Sequence, residues 1–182
     1  MRIIAVIPAR MASSRFPGKP MALIHNTPMI GHCYHRIRLC DSLEDTYVAT
    51  CDQEIYDYIE SIGGKAIMTA DTHERASDRA AEAMIKIEET IGGRVDILVM
   101  VQGDEPMNTP EMVTEALFPM MHDEGIKVVN LMGRIDSAEE FEDPNTVKVV
   151  AGPHGNAIYF SREPIPSRKK DLDKVPMRKQ IC

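Results

Sequence analysis

The sequence lacks several features that would point to particular classes of protein. No apolar run approaches the roughly 18–20 residues needed to span a bilayer, so we expect no membrane insertion. The first apolar stretch, residues 3–7, is too short for a signal peptide core and predicts a strand. The net charge of −7 argues against a nucleic-acid binder, whose surface is usually basic. The four cysteines contain no Cys-x-x-Cys pair, which favours reduced, structural thiols and a cytoplasmic protein: Cys33, Cys40, Cys51 and Cys182.

The familiar glycine-rich nucleotide loops are also missing, since neither the Walker pattern nor Gly-x-Gly-x-x-Gly occurs. Instead, residues 7–20 read Ile-Pro-Ala-Arg-Met-Ala-Ser-Ser-Arg-Phe-Pro-Gly-Lys-Pro, directly after the first strand. Gly18 allows the backbone to approach a ligand closely, and Ser13 adds a hydroxyl donor. Such a loop after the first strand suits a triphosphate, although a solvated basic surface is the alternative. Its three cations are Arg10, Arg15 and Lys19.

Hydrophobic patterns alternate between strand and helix along the chain. This order predicts an α/β protein with a Rossmann-like, three-layer αβα fold and a mostly parallel sheet. Gly152 to Gly155 separate two short strands and predict a hairpin, hence a mixed edge on that sheet. Ser137 and Glu140 predict a helix capping box, and we expect no further element beyond Arg162. The predicted strands are 2–7, 46–50, 65–68, 95–101, 127–132, 147–151 and 157–160, and the predicted helices begin near residues 29, 55, 76 and 110.

A second loop follows the longest central strand and reads Gln102-Gly103-Asp104. Because the carboxyl ends of parallel strands share one sheet edge, we expect this acidic loop to meet the cationic loop. Asp104 could then face bound phosphates and hold Mg²⁺, which takes one or two carboxylates. The alternative is a turn aspartate, since Gly-Asp-Glu-Pro is a good turn sequence. Gln102 could hydrogen-bond a ligand or serve the backbone.

Four further residues are candidates, each with a structural alternative. Arg79 follows Ser77 and Asp78 at a helix start, where capping and a surface ion pair would also account for the triplet. Arg162, after the last strand, could hold a carboxylate bidentately. Lys148 could contact the same ligand or protect an exposed edge strand. A lone histidine such as His73 is more often structural than catalytic.

Taken together, these segments resemble the 3-deoxy-manno-octulosonate cytidylyltransferases (CMP-Kdo synthetases), a family of sugar nucleotidyltransferases. The resemblance runs from residue 2 to about residue 170. It is carried by Pro-Ala-Arg and Pro-Gly-Lys-Pro in the first loop, and then by four segments in the family's order. These are Ser-Asp-Arg at 77–79, Val-Gln-Gly-Asp-Glu-Pro at 101–106, Asp-Pro-Asn-Thr-Val-Lys-Val-Val at 143–150 and Tyr-Phe-Ser-Arg at 159–162.

The resemblance implies a fold of the nucleotide-diphospho-sugar transferase type and a cytoplasmic enzyme of lipopolysaccharide biosynthesis. The implied reaction transfers CMP from CTP to an acidic 2-keto sugar, Kdo or a close analogue, with Mg²⁺ and release of pyrophosphate. The implied catalytic residues are Arg10, Lys19 and Asp104, with Asp104 as the metal ligand. The implied nucleotide contacts are Ala9, Arg10, Ser13, Arg15, Lys19, Arg79 and Gln102, and the implied sugar contacts are Gln102 and Arg162.

Some features depart from the family pattern and keep alternatives open. We expect residues 1–170 to form a nucleotidyltransferase domain that is incomplete at its C-terminal end, with 171–182 a polar tail of a longer domain. In relatives the later segment supplies another acidic metal ligand and much of a dimer contact, so the longer form is expected to be a homodimer. Arg75-Ala76 replaces Ser-Gly, and Gln180 replaces a sugar-binding histidine. The alternatives are a different acidic sugar, a CTP- or CMP-binding domain without turnover, or a guanylyl- or uridylyltransferase.

Overall fold

The computed structural model describes residues 1–12, 16–167 and 176–181. The chain divides into two compact units, Met1–Leu117 and Phe118–Cys182. Within the described residues, no helix has both the length and the apolar character needed to cross a membrane. The elements that begin in the first unit are, in chain order, β1 (Ile3–Ala9), β2 (Leu23–Ile24), β3 (Thr27–Pro28), α1 (Met29–Ile37), β4 (Asp45–Thr50), α2 (Gln53–Ser61), β5 (Lys65–Met68), α3 (Ala76–Ile91), β6 (Ile97–Met100) and α4 (Pro110–His122), within which the unit boundary falls.

A four-stranded parallel sheet organises the first unit, with strand order β5-β4-β1-β6. Every residue of β1 is buried. An unbroken apolar run of this kind is what a parallel strand needs when it is covered on both faces. The four predicted strands of this sheet are confirmed, and β1 continues to Ala9, so its end lies directly at the cationic loop.

Helices cover both faces of this sheet. On one face Ile4 and Val6 of β1 pack with Ala80, Ala83 and Ile87 of α3. Successive side chains of a strand point to opposite faces, so Ile3, Ala5, Ile7 and Ala9 face the other layer. There α1 contacts β1 and β4, and α2 contacts β4 and β5. The predicted α/β fold with three layers and a parallel sheet is therefore confirmed in this unit.

A small hairpin, β2 and β3, precedes α1 and was not predicted. His25 and Asn26 form its turn, with φ of 46° and 66°. Two-residue hairpin turns need positive φ, and Asn adopts it more readily than most residues. The turn has no glycine, which would have been the stronger signal in the sequence.

The second unit contains the strands β7 (Leu131–Arg134), β8 (Lys148–Ala151), β9 (Ala157–Ser161) and β10 (Arg178–Ile181). They form a four-stranded antiparallel sheet of order β7-β10-β8-β9. The predicted hairpin is confirmed as β8 and β9. The capping box is also confirmed, since the backbone N–H of Glu140 donates to Ser137 Oγ at 3.0 Å. The helix that this capping box begins is α5 (Ala138–Glu142).

Three expectations for this part of the chain need correction. The strand placed at 127–132 is β7, Leu131–Arg134, and Val128 is 78% exposed. The expectation of no element beyond Arg162 is wrong, because β10 pairs with β7 and β8. Its backbone makes the pairing, so its polar side chains gave no signal. The expectation that β8 and β9 form a mixed edge of the parallel sheet is wrong, because they belong to the separate antiparallel sheet. Residues 171–175 and 182 of the predicted tail lie outside the described residues.

Candidate active site

The cationic loop after β1 is closed by backbone hydrogen bonds. Gly18 has φ of 72°, a left-handed conformation that favours glycine, and its N–H donates to the carbonyl of Met11 at 3.0 Å. The N–H of Met11 in turn donates to Asp52 Oδ2 at 2.8 Å. Asp52 occupies the N-cap position of α2, yet its carboxylate makes no capping bond to that helix among the described residues. The aspartate therefore holds the loop rather than its own helix.

Lys19 and Asp104 join the two predicted loops. Lys19 Nζ lies 2.6 Å from Asp104 Oδ2, and their side chains are 34% and 50% exposed. An ion pair this open to solvent contributes little to stability, typically about 0–1 kcal/mol. The pair therefore places two opposite charges at the sheet edge. Separating these charges would cost the protein little stability.

Gly103 allows the two loops to approach each other. A Cβ at this position would lie only 2.7 Å from the carbonyl oxygen of Pro8. The carbonyl of Gly103 accepts a hydrogen bond from Cys33 Sγ at 3.5 Å, beneath the loop. Burial raises the pKa of Cys33 to about 11, so this side chain is a neutral, structural thiol. Cys40 and Cys51 are also free cysteines.

Arg79 enters the site from α3 with a buried side chain. The residue is 2% exposed, and its Nη1 donates to the hydroxyl of Thr69, which is also buried. Nη2 of the same guanidinium is buried and has no hydrogen-bond partner within the described part of the chain. A surface ion pair therefore does not describe Arg79, since its charge lies inside the protein.

His73 and Glu82 fix the segment between β5 and α3. Glu82 accepts hydrogen bonds from His73 Nε2 and from the backbone N–H of Ala70, and it pairs with Lys86 at 2.7 Å. These donors, with Lys86 first, lower the pKa of Glu82 to about 2. The carbonyl of His73 accepts a bond from Arg10 Nη1 at 3.5 Å. Glu82 thus supports the segment to which Arg10 is attached.

Residues of the two loops, of the segment before α3 and of α3 itself surround a cavity of about 350 Å³, within the size range of small-molecule sites. Four basic residues line it, against two carboxylates, so the cavity favours an anion. The predicted residues that line it are Ala9, Arg10, Lys19, Arg79, Gln102 and Asp104. Ser13 and Arg15, also predicted to contact the nucleotide, lie outside the described residues.

Arg162 and Lys148 belong to the second unit. Arg162 Nη1 donates to the carbonyl of Pro144 at 2.9 Å. Lys148 is completely buried, and its ammonium donates to the carbonyls of Asp143, Thr146 and Arg162. Lys148 is therefore not an exposed lysine that protects an edge strand, because three backbone oxygens hold its charge inside the unit.

Several residues of the site were not predicted from the sequence. These are Asp52, Thr69 and Glu82, which act through contacts with residues elsewhere in the chain. His73, which the sequence favoured as a structural histidine, lines the cavity. Arg75 was noted only as a departure from a family pattern, and it too lines the cavity. A charged residue beside an element end was the one signal available, and it applies to Asp52 and Arg75 only.

Comparison with known proteins agrees with this arrangement. The Cytidylyltransferase family matches residues 4–181. A 3-deoxy-manno-octulosonate cytidylyltransferase of Geobacter metallireducens is 43% identical over 92% of this chain and 63% of its own length. The chain thus spans just under two thirds of that relative. The enzyme of the same description from Geotalea daltonii is 42% identical over 100% of this chain and 72% of its own length.

The fold of the chain is also similar to that of a solved structure. CMP:2-keto-3-deoxy-manno-octonic acid synthetase, complexed with CTP, superposes with a TM-score of 0.91 and 40% identity. The match covers 100% of this chain and 72% of that one. At this identity and coverage the likeness extends beyond the fold. The chain therefore belongs to the 3-deoxy-manno-octulosonate cytidylyltransferase family of cytidylyltransferases.

Proposed function

We propose that the chain carries the nucleotide-binding and catalytic centre of an enzyme that transfers CMP from CTP to 3-deoxy-manno-octulosonate (Kdo). A hydroxyl oxygen of the sugar attacks the α-phosphorus of CTP and forms a new P–O bond, while the bond from that phosphorus to the oxygen that bridges to the β-phosphate breaks. Pyrophosphate leaves, and the hydroxyl proton passes to solvent. The observation that carries the proposal is the Lys19–Asp104 pair at the edge of a cationic cavity. CTP and Kdo are named in the descriptions of the similar proteins.

The Lys19–Asp104 pair provides a cation and an anion that can separate when the nucleotide binds. Lys19 would turn to a phosphate oxygen, where a fixed positive charge offsets the charge of the departing pyrophosphate. Arg10 contributes a second cation from the same loop. Reactions at phosphorus depend mainly on positioning and charge stabilisation, which are what these side chains offer.

Cytidylyltransferases generally use a divalent metal ion, and the donors of this site fit one. Asp104 offers hard carboxylate oxygens beside the cationic cavity, and Mg²⁺ is usually held by one or two carboxylates together with substrate phosphates and water. Within the described residues, no three His, Cys, Asp or Glu side chains are grouped as a complete metal site. We propose Mg²⁺, held by Asp104 and the phosphates of CTP. When bound, it would supply further charge neutralisation at those phosphates.

The remaining predicted roles belong to the same proposal. Gln102 lines the cavity and would contact the nucleotide or the sugar. Ala9 and Arg79 would contact the nucleotide, as would Ser13 and Arg15. Arg162 would bind the sugar carboxylate, for which a guanidinium is suited because it can form two parallel hydrogen bonds. Other acidic sugars would satisfy the same chemistry, so the acceptor must be tested.

We further propose that residues 1–170 belong to a nucleotidyltransferase domain that is incomplete at residue 170. Residues 171–182, which include β10, continue the same longer domain, and the longer form is a homodimer in the cytoplasm. The finding behind the domain proposal is that the Geobacter relative is matched over 63% of its length. Size-exclusion chromatography with light scattering, applied to this chain and to a longer form, would test the dimer.

The function is tested by pyrophosphate release from the 182-residue chain in the presence of Mg²⁺. CTP, UTP, GTP and ATP are each assayed with and without Kdo, and an amino-substituted Kdo and a neutral sugar phosphate serve as further acceptors. Release only with CTP and Kdo is the expected result. Release with UTP or GTP and a neutral sugar phosphate would replace the proposal by another nucleotidyltransferase activity. CTP binding without release from any acceptor would identify a binding domain that does not turn over.

A further inference from the structure

Arg79 is a buried cation with only part of its hydrogen-bonding capacity used. A buried charged donor that is left unpaired is costly, and each such donor in a native structure calls for an explanation. Nη1 is satisfied by Thr69, whereas Nη2 has no partner among the described residues. Arg79 is among the residues that line the cavity, so its unused donor lies in the wall beside the space for a ligand.

The position of Thr69 determines which nitrogen of the Arg79 guanidinium remains free to donate to a ligand. The residue is 5% exposed and follows β5, where its N–H donates to the carbonyl of Thr50 at 2.8 Å. That bond extends the pairing of β5 with β4 and fixes the backbone of Thr69 to the sheet. Its Oγ1 accepts from Arg79 Nη1, so the guanidinium of a helix residue is attached to the sheet.

We propose that Thr69 is a positioning residue for nucleotide binding: its hydroxyl holds Nη1 of Arg79, so that Nη2 remains directed to the nucleotide in the cavity. Thr69 itself does not touch the nucleotide and acts through Arg79. This inference rests on the proposed function, because it assigns Arg79 a nucleotide contact. It adds a residue whose side chain, a buried hydroxyl after a short strand, carries no motif in the sequence.

Two substitutions separate the hydroxyl from the volume of Thr69. Thr69→Val keeps the shape and removes the acceptor, whereas Thr69→Ser keeps the acceptor. We expect Thr69→Val to raise the dissociation constant for CTP about tenfold or more, the size of effect expected for one hydrogen bond to a charged group. Thr69→Ser should stay within about threefold of wild type, because it still satisfies Nη1. At saturating CTP, turnover of both variants should change little, since the effect lies in binding.

The coupling of Thr69 to Arg79 is tested by a double-mutant cycle, measured by calorimetric titration of CTP with Mg²⁺. Once Arg79→Lys has removed Nη1 and Nη2, Thr69→Val should have no further effect on binding. Thr46→Val, a buried threonine of β4 outside the cavity, is the matched control and should bind CTP as wild type does. Thermal melts establish that each variant is folded.

The outcomes distinguish this inference from the proposed function. Wild-type affinity in Thr69→Val, an equal loss in Thr69→Ser, or a full additional loss in the Arg79→Lys background would each overturn the inference while CTP binding stands. If wild type binds another nucleotide instead of CTP, the proposed function fails, and the same cycle with that nucleotide decides the role of Thr69. Wild-type protein that binds none of the four nucleotides overturns both.

Discussion

Lys19 and Asp104, 85 positions apart in the sequence, form an ion pair of 2.6 Å at the carboxyl edge of the parallel sheet. Lys19 lies in the segment that follows β1, and Asp104 lies in the loop that follows β6. Their meeting therefore results from the strand order, which places β1 beside β6. The pair is partly exposed and held weakly, so its two charges can be used by a ligand.

Lys19→Ala should remove most of the turnover without unfolding the protein. Loss of one fixed charge that stabilises the transition state typically lowers the rate by about 10²–10³. The melting temperature should change little, because the ion pair is partly exposed. Steady-state pyrophosphate release and a thermal melt measure the two quantities.

The matched control for that lysine is Lys65→Ala, since Lys65 also pairs with an aspartate, Asp45, and does not line the cavity. It should leave the rate near that of wild type. A Lys19→Ala variant as active as Lys65→Ala would remove Lys19 from the proposed mechanism.

Asp104→Asn should weaken the response of the rate to Mg²⁺ and leave the fold intact. Asn keeps the size of the side chain but has no negative charge to offer Mg²⁺. Titration of Mg²⁺ at fixed CTP should show a weaker response and a rate lower by about 10²–10³. Asp45→Asn serves as the control, and an unchanged Mg²⁺ titration in Asp104→Asn would contradict the assignment of the metal ligand.

Asp52→Ala should loosen the cationic loop. The variant removes the acceptor for the Met11 N–H, and hydrogen bonds to charged groups contribute about 1.5–3 kcal/mol. We expect the Michaelis constant for CTP to rise about tenfold, while α2 is little affected because Asp52 does not cap it. Asp57→Ala, an exposed change within α2, is the control. Equal Michaelis constants in the two variants would show that the loop does not need Asp52.

How far the sequence could predict this site is seen by comparing Asp104 with Asp52. Asp104 follows an apolar strand, and all parallel strands end at the same edge, so its position could be predicted from local pattern alone. Asp52 precedes a helix, where an aspartate ordinarily caps the N-terminus. Its hydrogen bond with the N–H of Met11 joins residues 41 positions apart, which local pattern does not reveal.

The same distinction explains the errors in the fold. The hydrophobic strands of the parallel sheet were predicted because burial selects apolar residues. Strand β10 was not, because Arg178, Lys179 and Gln180 pair through their backbones and carry no alternating pattern. Thr69 was missed for a related reason, since its hydroxyl matters only once α3 brings Arg79 beside it.

Gly103→Ala should destabilise the protein by about 1–3 kcal/mol, the usual cost of an added methyl group in a tightly packed place. The new Cβ would lie 2.7 Å from the carbonyl oxygen of Pro8, and backbone cannot rotate away as a side chain can. Gly152→Ala is the control, because its Cβ would meet nothing closer than 3.7 Å. Urea titrations measure both, and equal midpoints would show that the two loops adjust freely.

Glu82→Gln should change how stability depends on pH in acid. The pKa of Glu82 is lowered to about 2 in the folded protein, from an ordinary value of 4.5. A carboxyl whose folded pKa is depressed stabilises the folded state above its unfolded pKa, and this contribution is lost as pH falls through the folded pKa. The free energy of unfolding of wild type should therefore fall more steeply between pH 4.5 and 2 than that of Glu82→Gln. Glu89→Gln, an exposed change on the same helix, should retain the wild-type slope. Parallel curves for wild type and Glu82→Gln would mean that the contacts of Glu82 with Lys86, Ala70 and His73 do not persist in solution.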